Sequence, residues 1–208
     1  MDYVTKSIAF YTLQTGMAVF TIKYVYGYPI SCLGFNLENW RTSITLVMRF
    51  VVVWLILNIL FYFICLNFVP NFDSYIEYYY VKDSNRLLRD LAVGCFLAGV
   101  GEEPLFRGLV VLLLSPVVTK NLKIGGVQLP YLAFISGFIF MIAHIVYDIT
   151  PFRVVRIDYL QLMLTFLLGT IWASILIKTK SLLGPVLAHT LANTIQIMSG
   201  YFVAFYIL

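Results

Sequence analysis

Apolar residues gather in six runs of membrane length: Ser7 to Ile22, Ile44 to Val69, Leu91 to Val118, Leu129 to Tyr147, Tyr159 to Ile177 and Leu182 to Leu208. A bilayer core takes about 20 apolar residues per helical span, so each run predicts a transmembrane helix. The two longest runs can each be divided in two. The pattern therefore predicts an all-α fold, a polytopic transmembrane helical bundle of six to eight helices. Gly101 and Pro104 mark an expected break in the third run, because the residue before a proline is pushed out of the helical region. If Pro104 opens a new segment, Glu102 and Glu103 stand at a helix N-terminus.

The polar connections read as interfacial. Lys23 to Ser43 mixes Gly27, Pro29 and Gly34 with Trp40 and Arg41, which suits a loop anchored by aromatics. Pro70 to Asp90 holds Tyr75, Tyr78, Tyr79 and Tyr80 ahead of Lys82, Arg86 and Arg89, the composition of an aromatic belt facing headgroups. Arg49, near the start of the second run, is expected to snorkel to the interface.

Composition narrows the class. With 61% hydrophobic and 17% aromatic residues, the chain of 208 belongs among membrane proteins, and its length suits a single integral-membrane domain over residues 1–208. The net charge of +4 comes from scattered Lys and Arg, with no basic block of the kind that binds nucleic acid. Counting those residues by side of a six-span chain gives a tie, so the positive-inside rule returns no orientation. Cys32, Cys65 and Cys95 form no CxxC pair. Gln14 and several threonines interrupt the first run and no small-x-small cleavage site follows it, so it is expected to stay as a helix.

Charge inside the third run changes the picture most. Glu102, Glu103 and Arg107 lie in an otherwise apolar stretch, where one charged side chain at the bilayer centre costs roughly 2.5 to 3.5 kcal/mol on insertion scales. Glu103 and Arg107 are four apart and can neutralise each other on one helical face. Glu102 points about 100° away around the helix, so the same arginine cannot serve both carboxylates equally. The only two histidines, His144 and His189, also fall in apolar runs, with Phe140 one turn before the first and Asn193 one turn after the second. A carboxylate and an imidazole can hold and deprotonate a water, while an imidazole N–H and an amide N–H can stabilise an oxyanion. Peptide hydrolysis is the chemistry these types share, and it requires a cavity that admits water.

Competing chemistries remain in view. No serine sits in a G-x-S-x-G elbow. Asp148 reads as a helix-end or interfacial residue. Glu102, His144 and His189 are ligand types for a catalytic zinc with one open position, although no H-E-x-x-H pair occurs; the metal-free reading is preferred. A proton-coupled transporter also buries Glu, His and Arg, but no internal repeat is visible.

Three segments in order carry a resemblance. Glu102-Glu103-Pro104-Leu105-Phe106-Arg107 resembles an EExxxR motif, Phe140 to His144 an FxxxH motif and His189 to Asn193 an HxxxN motif, as in the CAAX protease and bacteriocin-processing (CPBP, or Abi) family. The stretch from Phe166 through Leu182 to His189 is also similar to that family's approach to its third motif. The resemblance covers residues 91–194, which would be the motif-bearing catalytic core; the first ninety residues match nothing specific. It implies an intramembrane endopeptidase, described as glutamate-type without a cofactor and in older descriptions as a zinc metalloprotease. By position, it implies that Glu102 and His144 activate the water, that His189 and Asn193 stabilise the oxyanion, and that Glu103, Arg107 and Phe140 support the site. The implied partners are the bilayer and a membrane-embedded, CAAX-like lipidated, bacteriocin or signal-peptide substrate. The alternative within the same family is a non-catalytic bacteriocin self-immunity or membrane regulatory protein. Short length and the usage of Ile, Tyr and Asn fit a prokaryotic plasma-membrane member.

Overall fold

The computed structural model of the protein describes residues 2–124 and 127–208. Helix α1 (Tyr3–Phe20) starts where the Asp2 carboxylate accepts the Thr5 amide at 2.8 Å, and it runs on through a wider π turn at Thr21–Val25. A 3-10 turn at Ile30–Leu33 leaves Cys32 exposed and ends on Gly34, whose φ of +97° suits a residue without a Cβ. The Gly34 carbonyl then accepts the Leu182 amide, tying this loop to the start of the last helix.

Helix α2 (Trp40–Phe68) is followed by the short α3 (Phe72–Tyr79). Helix α4 is continuous over residues 84–114 and is built of five pieces: Ser84–Asp90, a π segment Leu91–Leu97, Ala98–Glu103, a second π segment Pro104–Leu109, and Val110–Leu114. A hairpin of β1 (Asn121–Ile124) and β2 (Val127–Pro130) leads into α5 (Tyr131–Ile142). A second hairpin, β3 (Val146–Ile149) with β4 (Phe152–Arg156), precedes α6 (Tyr159–Thr179) and α7 (Leu183–Tyr206). Helices dominate, but the two antiparallel hairpins correct a purely all-α expectation.

The expected break at Pro104 does not occur. Glu103 keeps helical angles, φ −61° and ψ −37°. Proline lacks an N–H and its ring collides with the carbonyl four residues back. The second π segment starts at Pro104 itself, and at its end Val110 N reaches the carbonyls of Arg107 and Leu105.

The fourth apolar run also ends earlier than its composition predicts. The Phe140 carbonyl, which a continuing helix would offer to the His144 amide, is taken at 2.8 Å by the His144 ring, and the His144 amide turns to Met141 instead. The chain then enters β3, where Val146 and Tyr147 suit a strand.

A core of Val47, Trp54, Phe106, Phe140, Trp172 and Ala188 joins α2, α4, α5, α6 and α7. Small residues set the closest approaches. A Cβ at Gly137 would stand 2.7 Å from the Phe166 carbonyl of α6, and one at Gly99 would fall on Thr190 and Val186 of α7. Among the described residues, α2 and α6 are the two helices long and apolar enough to cross a membrane. Only 17% of the apolar window of α2 is buried, and Val53, Ile56, Ile59, Leu60 and Phe63 are exposed along it.

Candidate active site

The site is built around α4, and the π segments explain how that helix is held. Each one departs from the regular backbone ladder, and nearby carbonyls of α4 are bonded by side chains from three other helices. Asn193 of α7 donates to the Gly94 carbonyl at 2.6 Å, Thr15 of α1 to that of Gly101 at 3.1 Å, and Ser136 of α5 to that of Phe106 at 2.9 Å. The glutamate pair is thus presented by a helix clamped on three sides.

The two glutamates part company there. Glu103 and Arg107 are both fully buried, with Nε 3.1 Å from Oε2. The contact is an ion pair without an aligned hydrogen bond, and no guanidinium nitrogen has another partner among the described residues. Instead the guanidinium lies 4.0 Å from the centre of the Phe140 ring and 5.1 Å from that of Trp172, where the ring faces attract a cation. The other Glu103 oxygen accepts the Nδ1–H of His189 at 2.7 Å. That imidazole stacks on Trp172, centroids 4.2 Å apart and planes 19° from parallel. Glu103 therefore neutralises the arginine and orients the histidine.

Glu102 faces the other way. It is 9% exposed, with no ion pair or hydrogen bond among the described residues, and it lines a cavity of about 400 Å³. His144, His189, Asn193 and Phe140 line the same cavity, whereas Glu103 and Arg107 stand behind its wall. A carbonyl can only accept, so the His144 Nδ1 carries a proton toward Phe140, and in the neutral ring it is Nε2 that has the lone pair. Asn193 spends one amide hydrogen on Gly94 and keeps a second hydrogen and its carbonyl oxygen. Asp148 lies apart, paired with Arg153 across the second hairpin at 2.8 Å.

Zinc ligation by Glu102, His144 and His189 can be tested against this arrangement. Among the described residues no three His, Cys, Asp or Glu side chains are grouped so as to hold a metal ion. As placed, Glu102, His144 and His189 are therefore not the grouped set of three ligands that a catalytic zinc with one open position needs.

Several walls of the cavity were not legible as such. Tyr11 comes from α1, and Tyr75, Tyr79 and Tyr80 from the segment read as an aromatic belt. Tyr75 and Tyr79 line the cavity while staying partly exposed, and Tyr78, 75% exposed, lies outside it. Trp172 and Arg156 complete the walls named here.

Residues 84–195 match the Rce1-like type II CAAX prenyl endopeptidases. The chain belongs to this family. The match begins at the first residue of α4 and ends two residues past Asn193, so it takes in the glutamate pair, both histidines and the asparagine of this Rce1-like chain. It agrees with the resemblance read from the three motifs, and it supports a protease role at a membrane. Neither a curated protein nor a solved structure matches the chain.

Proposed function

We propose that the protein is an intramembrane endopeptidase that hydrolyses a peptide bond in a membrane-embedded or lipid-modified substrate, using Glu102 and His144 to activate water. The observation that carries this reading is the meeting of Glu102, His144, His189 and Asn193, from three separate helical regions, on one cavity. Water held between the Glu102 carboxylate and the His144 Nε2 loses a proton to Glu102 as its oxygen attacks the carbonyl carbon. The resulting oxyanion faces the remaining amide hydrogen of Asn193 and the Nε2–H of His189 when that ring is doubly protonated against Glu103. One such donor is worth roughly 2.7 to 4 kcal/mol in the transition state. Collapse expels the amine, which takes its proton from Glu102.

The setting favours an apolar substrate. The bare apolar surface of α2 suits a lipid environment far better than water, and we place the helices together as a membrane bundle. A second cavity of about 270 Å³ adjoins the first, sharing Tyr75, Tyr80, Leu160, Leu164 and Gln196 with it, and is walled further in by Trp54, Leu57 and Phe61. An acyl, isoprenoid or apolar peptide chain would be accommodated there beside the scissile bond.

The test uses the purified protein in lipid nanodiscs with an internally quenched, S-farnesylated peptide. Glu102→Gln and His144→Ala should each abolish cleavage while the variants still unfold cooperatively. Full activity in either variant overturns the reading, and it would turn attention to the self-immunity alternative. Activity that survives exhaustive chelation, with no zinc in the purified protein, is expected; loss restored by added zinc would favour the metalloprotease form.

A further inference from the structure

We infer that helix α1 supplies a positioning residue to the site: the Tyr11 hydroxyl donates a hydrogen bond to the Glu102 carboxylate and holds it ionised and aimed at the attacking water. This deepens the hydrolytic reading above and rests on it. Tyr11 lies outside the matched residues 84–195, yet it lines the same cavity as Glu102, His144, His189 and Asn193.

The approach of α1 to α4 is built at the residue before Glu102. A Cβ at Gly101 would stand 2.5 Å from the Tyr11 Cβ and 2.9 Å from two of its ring atoms, so glycine is what lets the tyrosine seat there. Thr15, one turn further along the same face of α1, donates to the Gly101 carbonyl at 3.1 Å. Together these contacts fix the phenol beside Glu102, close enough to feel its charge.

Both groups have hydrogen-bonding capacity to spare. Among the described residues, the tyrosine hydroxyls that donate hydrogen bonds are those of Tyr62 and Tyr201, which leaves that of Tyr11 free. A carboxylate withdrawn from water needs a donor, and the other neighbours of Glu102 have given theirs elsewhere. The Nδ1–H of His144 goes to the Phe140 carbonyl and that of His189 to Glu103, so in the neutral rings both Nε2 atoms hold lone pairs. Asn193 gives one amide hydrogen to Gly94, and its second faces the oxyanion. Arg107 is held by Glu103 behind the wall. The remaining titratable groups on the wall, Tyr75, Tyr79, Tyr80, Arg156 and Asp158, come from around α3 and β4. A phenol, which ordinarily ionises only near pH 10, stays a donor throughout the range in which Glu102 works as a base.

The experiment follows cleavage of the internally quenched, S-farnesylated peptide in nanodiscs across pH, for the native protein, for Tyr11→Phe and for protein carrying a ring-fluorinated tyrosine at position 11. Phenylalanine keeps the ring on Gly101, so the fold and KM should hold while kcat falls about 10-fold at neutral pH. A donor favours the ionised carboxylate and its loss favours the protonated one, so in Tyr11→Phe the acidic limb of the kcat/KM profile should move to higher pH by about one pH unit. The fluorinated tyrosine, a stronger donor, should move the limb the other way. Infrared difference spectra at acid pH read the same hydrogen bond without turnover: the carboxyl C=O band that Glu102→Gln removes should rise in frequency in Tyr11→Phe. A band left in place by Tyr11→Phe overturns the inference, and continued cleavage would then leave the hydrolytic reading standing. A fall in kcat with the acidic limb unmoved is what a merely structural role gives, and it also overturns the inference. A shifted band in a protein that cleaves no probe would uphold the hydrogen bond and sink the hydrolytic reading.

Discussion

Replacing Glu103 by glutamine should unfold the protein far more readily than the same change at its neighbour Glu102. The amide introduced by Glu103→Gln keeps an oxygen for the His189 Nδ1–H, so the hydrogen bond survives and only the charge is lost. At the observed 3.1 Å, with an effective dielectric of 20, the lost attraction to Arg107 is about 5 kcal/mol. Removing one partner of a buried pair typically costs about 3 to 5 kcal/mol, in agreement. For a chain of this size that corresponds to a fall of roughly 6 to 20 °C in Tm. Thermal unfolding is followed with a thiol-reactive dye on a Cys32→Ser background, because Cys65 and Cys95 are buried and react only as the fold opens. Glu102→Gln has no buried partner to strand and should leave Tm nearly unchanged. Glu103→Gln combined with Arg107→Met should recover much of the loss, since a buried pair can be exchanged for apolar groups with little penalty. A Glu103→Gln protein melting within about 2 °C of the native one, or a double variant melting lower than Glu103→Gln alone, would refute the reasoning.

Other outcomes follow from single contacts. Trp172→Ala removes the surface on which His189 stacks and the ring near Arg107, and should lower stability by about 3 to 5 kcal/mol. Trp172→Phe should be much milder in Tm and in kcat/KM, because the indole N–H has no partner among the described residues. Asn193→Ala leaves the Gly94 carbonyl without its side-chain donor, costing about 1 to 3 kcal/mol; hydrogen exchange should quicken around residues 94–98. Gly137→Ala forces α5 away from the Phe166 carbonyl and the Thr170 amide. It should lower kcat/KM with intact expression, and an unchanged value would show that His144 does not depend on that close approach.

The helices and the chemistry could be read from the sequence at different depths. Long apolar runs located α1, α2, α6 and α7 closely, because continuous hydrophobicity over about 20 residues overrides local propensity. The spacing of Glu103 and Arg107 foretold their pairing, since both lie on one helix and geometry fixes the rest. What escaped reading depends on distance in the chain. Nothing local states that Glu103 meets His189, 86 residues away, or that Asn193 bonds Gly94. Those bonds divide the HxxxN pair, which spacing alone suggested would act together, between two different anchors on α4. Pro104 misled for another reason: the bias a proline places on the preceding residue is only a tendency, and Glu103 keeps helical angles with a π segment starting at the proline. The tyrosines of α3 were read as an interfacial belt because composition does not tell an inward face from an outward one.

The shortness of α5 bears on how water enters. Its 12 residues rise about 18 Å, against roughly 30 Å of hydrocarbon in a bilayer. In the proposed membrane placement the helix gives out part-way down, at the end that carries His144, and the chain continues as a hairpin bearing Asp148, Arg153 and Arg156. Such hydrophobic mismatch thins the surrounding lipid. On that placement and the proposed hydrolytic function, water would reach Glu102 past the foot of a truncated helix, and the number of residues of α5 preceding His144 would set the depth of the cut.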